Sequence, residues 1–519
     1  MAKDRSVYIT TPLFYPSDKP HLGHAFTVVL ADVLKLSYKQ LGYGGYLVVG
    51  TDEHGEKMLA AADAAQTPVE RFVESNVLHF KSLWETLGIK YDRFVRTSDH
   101  AHRALVKQVF LQLLSDNQIF IDEWRGWYCT SCEESFSDRF IGKKSTCPIG
   151  HPLTLRAEKT YFLRVTSFRN WLRREFEANK DLIYPDKYKT ELMNNFINDL
   201  DDLSITREGL DWGIKVPEDE DHTIYVWFDA LIAYLTALNF GNYGRTNTTT
   251  FKNYWESPKC KVIQIIGKEV CRFHAIYWPI MLKNLKVRLF DNLLVHGWLL
   301  MNNEKMSKSK KNVIDPKEIL SLMPREGLRF YLARISILGD ANVNVDDIFS
   351  VYNSYLVNTY GNLISRFYGI MGRKYENTLP NQWDPESFIE IDQLNIELDE
   401  FLNNGYEKEV LNNTISPIIE KVFEIFRSAG KLIEKNKAWE LEKGDLLLDT
   451  LMVFIYKLLC IGTWFLHPIL IDTAPKLYDI LNISPKKVGI EYLQQQRLYF
   501  KKKINDLPEN LFPRIKDID

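Results

Sequence analysis

Four short apolar runs, each closing on glycine or a polar group, constrain this chain most. Residues 6–11 alternate as a strand does, YLVVGTDEHG follows at 46–55, and VIQIIGKE (262–269) and LLVHGW (293–298) come far downstream. Such runs suit strands buried on both faces of a parallel sheet, which gathers functional groups at the strands' carboxyl ends. After the first run, a turn containing Pro12, Pro16 and Pro20 leads into HLGHAFTVVLADVLKL (21–36), where apolar residues return at helical spacing. The spacing predicts a strand, loop, helix unit within an α/β domain. Its halves fall at 1–115 and 222–300. Between them, over 116–221, aromatic and cysteine-containing stretches and an acidic loop, PEDEDH (217–222), break the pattern, and an inserted domain is expected. From about residue 351 the chain turns to long amphipathic segments, which predicts an all-helical domain over 351–519.

A chain of 519 residues exceeds one core and suggests three or four units. Hydrophobic residues at 45% and charged ones at 26% favour neither disorder nor a membrane class. A net charge of −3 argues against wholesale coating by nucleic acid but leaves room for a local basic face. The segment Leu451 to Ile471 is apolar enough to raise the membrane question. Lys457 inside it, with Gly462, His467 and Pro468 following, points to a buried bundle helix. The opening MAKDRSVYITTP lacks the features of a secretory signal, so a cytoplasmic location is expected. Of six cysteines, Cys129, Cys132 and Cys147 cluster as metal ligands do, whereas Cys260, Cys271 and Cys460 read as core.

Two motifs carry chemistry. His21-Leu22-Gly23-His24 opens a predicted helix, where unpaired N–H groups and the helix dipole favour an anion such as phosphate. Two imidazoles three residues apart could both reach that anion, and Gly23 lets a nucleotide approach the backbone. The bland alternative is a helix start with two surface histidines. The second motif is Lys305-Met306-Ser307-Lys308-Ser309, extended by Lys310 and Lys311. Its ammonium groups and hydroxyls suit a loop closing over a triphosphate as charge moves toward pyrophosphate.

HLGH followed by KMSKS is the paired signature of class I aminoacyl-tRNA synthetases, and the chain resembles the methionyl family over essentially its whole length. The resemblance implies a Rossmann-type catalytic domain split by a zinc-knuckle insertion, a stem-contact region at 301–350 and a helical anticodon-binding domain. It implies ATP and Mg²⁺, with His21 and His24 at the reacting phosphates and Lys305 and Lys308 on the leaving pyrophosphate. Gly23, Gly267, Glu269 and Ser307 complete the ATP set, Glu269 standing where the family usually has Asp. TPLFYPSDKPHLGH supplies Leu13 and Tyr15 to a methionine pocket. YVWFDALIAY supplies Trp227, Ala230, Leu231 and Tyr234, at helical spacing, and IGKEVCRFH supplies Val270 and His274. Asp52 would pair with the substrate ammonium, or else is a simple turn aspartate.

Within the insertion, Cys129-x2-Cys132 and Cys147-Pro-Ile-Gly-His151 resemble a structural zinc site of three thiolates and one imidazole. The last spacing is three, where several relatives have two, and a degenerate knuckle held by packing is the alternative. In the helical domain, Asn362 and Arg366 of GNLISR and Trp439 of KAWELEK match the family's anticodon readers, with Ala438 where Pro is usual. The closing LFPRI resembles members without an appended domain, so a monomer is expected. The implied partners are L-methionine and initiator and elongator tRNA(Met), with no membrane. Competing readings are a nucleotidyltransferase with an H-x-G-H turn and a tRNA-binding relative without catalysis.

Overall fold

The structure is a computed structural model describing residues 5–136, 145–147, 150–241, 248–306, 313–484, 489–495, 499–500, 502–507 and 511–516. All four sequence-predicted runs are strands. They are β1 (Ser6–Thr10), β2 (Gly44–Thr51), β5 (Cys260–Gly267) and β6 (Asn292–His296), joined by β3 (Arg93–Arg96) and β4 (Ile183–Tyr184) in one parallel sheet of order β3-β2-β1-β5-β6-β4. Alternation explains why the runs are apolar on both faces. Val7, Ile9, Leu47, Val49, Ile263, Ile265 and Leu294 enter one core, while Tyr8, Val48, Val262, Ile266, Leu293 and Val295 enter the other. The strand order reverses between β1 and β5, and the crevice at such a switch point is where ligands bind in open α/β sheets.

β4 comes from within the inserted stretch, pairing Ile183 and Tyr184 with Leu293 and Leu294 of β6. The helices Arg169–Ala178 and Asp186–Asn195 flank β4, and the other strands of the insertion form separate antiparallel sheets. Strands Ile119–Cys129, Glu134–Phe136, Thr154–Leu163 and Leu203–Ser204 make one; Thr206–Glu208, Lys215–Val216 and Asp219–Ile224 make another. The acidic PEDEDH expected as a loop is therefore largely strand: Glu218, at φ +66, makes a tight turn, and Asp219–Ile224 pairs with both neighbours.

The helix Leu22–Gln40 is buried on most sides because it packs between the sheet and the helix Arg325–Arg334. Arg329 and Asp32 pair there at 2.9 Å, both fully buried. The same guanidinium donates to the carbonyls of Leu87 (3.3 Å), Pro468 (2.8 Å) and Ile469 (3.2 Å). Beyond residue 351 the described residues are mainly helical, with one isolated bridge between Thr378 and Lys503. Ser416–Lys435 buries Ile418, Ile419, Val422, Phe423, Phe426, Ala429 and Ile433, a stripe at three- and four-residue intervals. The apolar stretch forms the helix Leu446–Leu466, long and apolar enough by composition to cross a membrane but largely buried inside the protein. Its Lys457 donates to Asp399 at 2.7 Å and Asn395 at 2.8 Å.

Candidate active site

The HLGH segment folds as a reciprocal cap. His21 is the N-cap of Leu22–Gln40, and its Nδ1 accepts the Gly23 N–H at 3.0 Å, while the His24 Nδ1 accepts the His21 N–H at 3.0 Å. The rings lie 3.9 Å apart between centroids. Because both Nδ1 atoms accept from backbone donors, a neutral ring carries its proton on Nε2, so each histidine keeps Nε2–H as a donor. A Cβ at residue 23 would sit 2.9 Å from the His21 ring, which is why glycine fits there. Phe14 and Phe80 pack their edges against His24 at 5.1 and 5.3 Å. The Leu22 N–H donates to the Ile314 carbonyl at 3.2 Å, joining this turn to the segment after KMSKS. Ser307, Lys308 and the Lys305 side chain lie outside the described residues; the Lys305 backbone pairs with Leu300 in a small hairpin.

β5 ends at Gly267, and a Cβ there would meet the Glu269 carboxylate at 2.5 Å. Glu269 accepts the Trp298 Nε1–H at 2.8 Å, and Lys268 lies over the Trp298 ring while pairing with Asp340 at 2.7 Å. Glu269, Trp298 and Asp340 share a cavity of about 500 Å³ with Cys132 and Cys147 of the knuckle.

The nine residues assigned to methionine come from four separate stretches. All eleven residues of the helix Val226–Thr236 are buried, so its apolar spacing reflects complete burial rather than one face. Trp227 stacks on Phe273 (4.1 Å, 6°) and meets the edges of Tyr15 and His274 at 6.4 and 6.3 Å. His274 Nδ1–H donates to the Val270 carbonyl at 3.0 Å, leaving Nε2 to accept the Tyr234 hydroxyl at 2.7 Å. Burial lowers this imidazole to about 4, so it is neutral near pH 7. Ala230 and Leu231 are buried beside them, and Leu13 lies 2.7 Å from where a Gly50 Cβ would project. Asp52 is buried, and its Oδ1 has no hydrogen-bond partner among the described residues. Burial first, then the Asp229 and Glu133 carboxylates, pushes its carboxyl well above the usual range. A cation bound there would reverse that shift.

Two features escaped the sequence reading. Asp229 is fully buried and accepts from His54 at 2.7 Å and His102 at 2.5 Å, which hold it ionised, below the ordinary range, against the opposing effect of burial. The signal was one carboxylate inside an otherwise apolar helix. Glu133, next to Cys132, is buried against Tyr15 at 3.1 Å, and burial raises it to about 7; no periodicity marks it.

The ligand atoms of Cys129, Cys132, Cys147 and His151 all lie within 4.8 Å of one another. Cys132 Sγ is 3.8 Å from Cys147 Sγ and 3.2 Å from His151 Nδ1. Tetrahedral Zn–S bonds of about 2.3 Å require sulfur atoms about 3.8 Å apart, so the donor set fits zinc. The longer spacing is absorbed at Gly150 (φ +92), whose N–H donates to the Cys147 carbonyl at 2.8 Å and turns His151 back toward the thiols.

In the helical region, Asn362 opens the helix Asn362–Tyr375 and lines a cavity of about 370 Å³ with Leu511, Phe512 and Arg514. Arg366, one turn on, pairs with Glu434 at 2.6 Å. Glu434 precedes the turn to Trp439, a residue 49% exposed. That turn needs no proline: Lys437 takes φ +45, and the Ala438 N–H bonds the Ile433 carbonyl at 3.0 Å.

The chain matches the family described as tRNA synthetases class I (M) over residues 7–153 and 149–368. It is 35% identical to the methionine–tRNA ligase of Ureaplasma parvum serovar 3, covering 99% of each chain. It is 37% identical to that of Mycoplasma genitalium over 98% of this chain and 99% of the relative, and 34% identical to that of Bacillus subtilis over 94% and 74%. Among solved structures it is similar to Mycobacterium tuberculosis methionyl-tRNA synthetase in complex with methionyl-adenylate (TM-score 0.90, 28% identity, 98% of this chain and 100% of that one). The apo form of that enzyme matches with a TM-score of 0.83 at 25% identity, covering 99% of each. A parallel sheet with its paired-histidine turn, a four-ligand knuckle and a helical C-terminal region, together with these matches, place the chain among the class I methionyl-tRNA synthetases.

Proposed function

We infer that this chain is a methionine–tRNA ligase, which activates L-methionine with ATP to methionyl-adenylate and transfers it to the terminal adenosine of tRNA(Met). The observation that carries this is the buried Asp52 Oδ1, which has no hydrogen-bond partner among the described residues, beside an apolar wall that holds a neutral His274. An α-ammonium satisfies Asp52, and Leu13, Tyr15, Trp227, Ala230, Leu231, Tyr234, Val270 and His274 are assigned to the rest of the amino acid. A neutral His274 suits a thioether, because no charge needs solvation there.

Methionine's carboxylate is ionised near pH 7 and attacks the α-phosphorus directly, so the bond to the leaving pyrophosphate breaks without a general base. Catalysis is positioning and charge stabilisation. The Nε2–H donors of His21 and His24 serve the phosphates at a helix N-terminus. Gly23, Gly267 and Glu269 are assigned to the nucleotide, and Lys305, Ser307 and Lys308 to the departing pyrophosphate. Mg²⁺ arriving with ATP would supply positive charge against the phosphates. Cys129, Cys132, Cys147 and His151 would hold zinc, which in a closed four-ligand site supplies structure.

We assign residues 1–115 and 222–300 to the catalytic domain, 116–221 to the insertion that lends it β4, 301–350 to the acceptor-stem region and 351–519 to anticodon binding. Asn362, Arg366 and Trp439 are assigned to the anticodon of tRNA(Met), initiator and elongator. The enzyme works as a cytoplasmic monomer. The test is exchange of labelled pyrophosphate into ATP with each amino acid in turn. Methionine alone should drive rapid exchange, and His24→Ala should lower its rate by two to three orders of magnitude, about 3 kcal/mol. Exchange driven by another amino acid would overturn the pocket assignment.

A further inference from the structure

The knuckle reaches the amino-acid pocket through one side chain. Glu133 follows the zinc ligand Cys132 directly, takes a left-handed backbone (φ +50) and is 1% exposed. A non-glycine residue held there is unusual and needs its surroundings to fix it. Three contacts do so: Oε2 accepts the Tyr15 hydroxyl at 3.1 Å, Oε1 accepts the Lys57 N–H at 2.9 Å, and the main-chain carbonyl accepts the Tyr225 hydroxyl. The carboxylate fits only because residue 55 is glycine, at φ +103; a Cβ there would overlap it.

These partners are not scattered. Tyr15 meets the Trp227 ring at 6.4 Å with Lys57 over its own face at 4.7 Å, and Tyr225 is the N-cap of the helix that carries Trp227, Ala230 and Tyr234. One residue, a single peptide bond from a metal ligand, therefore fixes both an aromatic wall of the pocket and the start of its helix. We propose that Glu133 is a positioning residue for methionine binding, through which the folded knuckle sets the place of Tyr15. The proposal rests on the reading of Tyr15 and Trp227 as methionine contacts.

The experiment compares Glu133→Ala and Glu133→Gln with wild type in the full chain. Methionine affinity is read from tryptophan fluorescence without ATP, KM and kcat from pyrophosphate exchange, and zinc content by metal analysis. Losing the hydrogen bond that holds Tyr15 should weaken methionine binding about tenfold in Glu133→Ala, with kcat within about twofold and zinc content unchanged. Glu133→Gln keeps both contacts, because a tyrosine hydroxyl accepts as well as donates, and should restore affinity. Chelating zinc from wild type should reproduce the loss, with no further loss in Glu133→Ala. Unchanged affinity in Glu133→Ala, or zinc lost together with affinity and no rescue by Gln, overturns the proposal. A wild type that binds no methionine overturns the underlying reading instead.

Discussion

At the phosphate end, His21 and His24 lie three residues apart and hold each other's backbone at one half-exposed helix turn. At the methionine end, Asp52, Trp227, Tyr234 and His274 come from three distant stretches and meet only because β2, the helix Val226–Thr236 and the segment after β5 converge. The first is a local motif whose geometry is written in consecutive residues. The second is a piece of the hydrophobic core that also serves as a wall. Chemistry placed on a local cap can be removed with little damage to the fold, whereas chemistry built into the core cannot.

That contrast predicts where substitutions act. Trp227→Ala removes a ring stacked on Phe273 and 7% exposed, and should cost about 3–5 kcal/mol in stability together with methionine affinity. Urea unfolding and methionine binding measure the two. A variant that loses affinity but keeps its unfolding midpoint would break the comparison.

The buried His274 sharpens it through pH. Its imidazole is lowered to about 4, against about 6.5 in the unfolded chain, so below pH 6.5 the unfolded chain takes the proton first. Its contribution to stability is complete above pH 6.5 and is lost as pH falls toward 4. By pH 5 the loss should be about 2 kcal/mol. Urea midpoints at pH 7.5 and 5 should therefore fall further for wild type than for His274→Gln. The smallest effect belongs to the cap: His21→Ala should cost about 1 kcal/mol in stability, while slowing pyrophosphate exchange far more.

Legibility in the sequence followed the same division. β1, β2, β5 and β6 were readable because strands buried on both faces are continuous apolar runs, and the paired-histidine turn because its members are neighbours. The helix Ser416–Lys435 announced itself by its stripe. The two-residue β4 was not readable: Ile183 and Tyr184 become a strand only by pairing with β6. PEDEDH reads as a loop because of its charge density, but Asp219–Ile224 is the central strand of its sheet, and the hairpin around Glu218 leaves Glu218, Glu220 and Asp221 facing solvent. Asp229 stands out only as a lone carboxylate in an apolar helix, and Glu133 carries no signal at all, because their partners, His102 and Tyr15, lie more than a hundred residues away in the chain.

Arg329 bears on how this molecule came to be one piece. Its guanidinium, fully buried, spends its donors on Asp32 and Leu87 of the sheet domain and on Pro468 and Ile469 near the far end of the chain. A fragment ending before residue 468 would keep the arginine and its aspartate but strip away two of the carbonyls that compensate their burial, where an uncompensated charge is heavily penalised. The helical half is thus less a detachable attachment than the keystone of an arch. Shuffling it between enzymes, by recombination or by design, succeeds only when that stone is carried along.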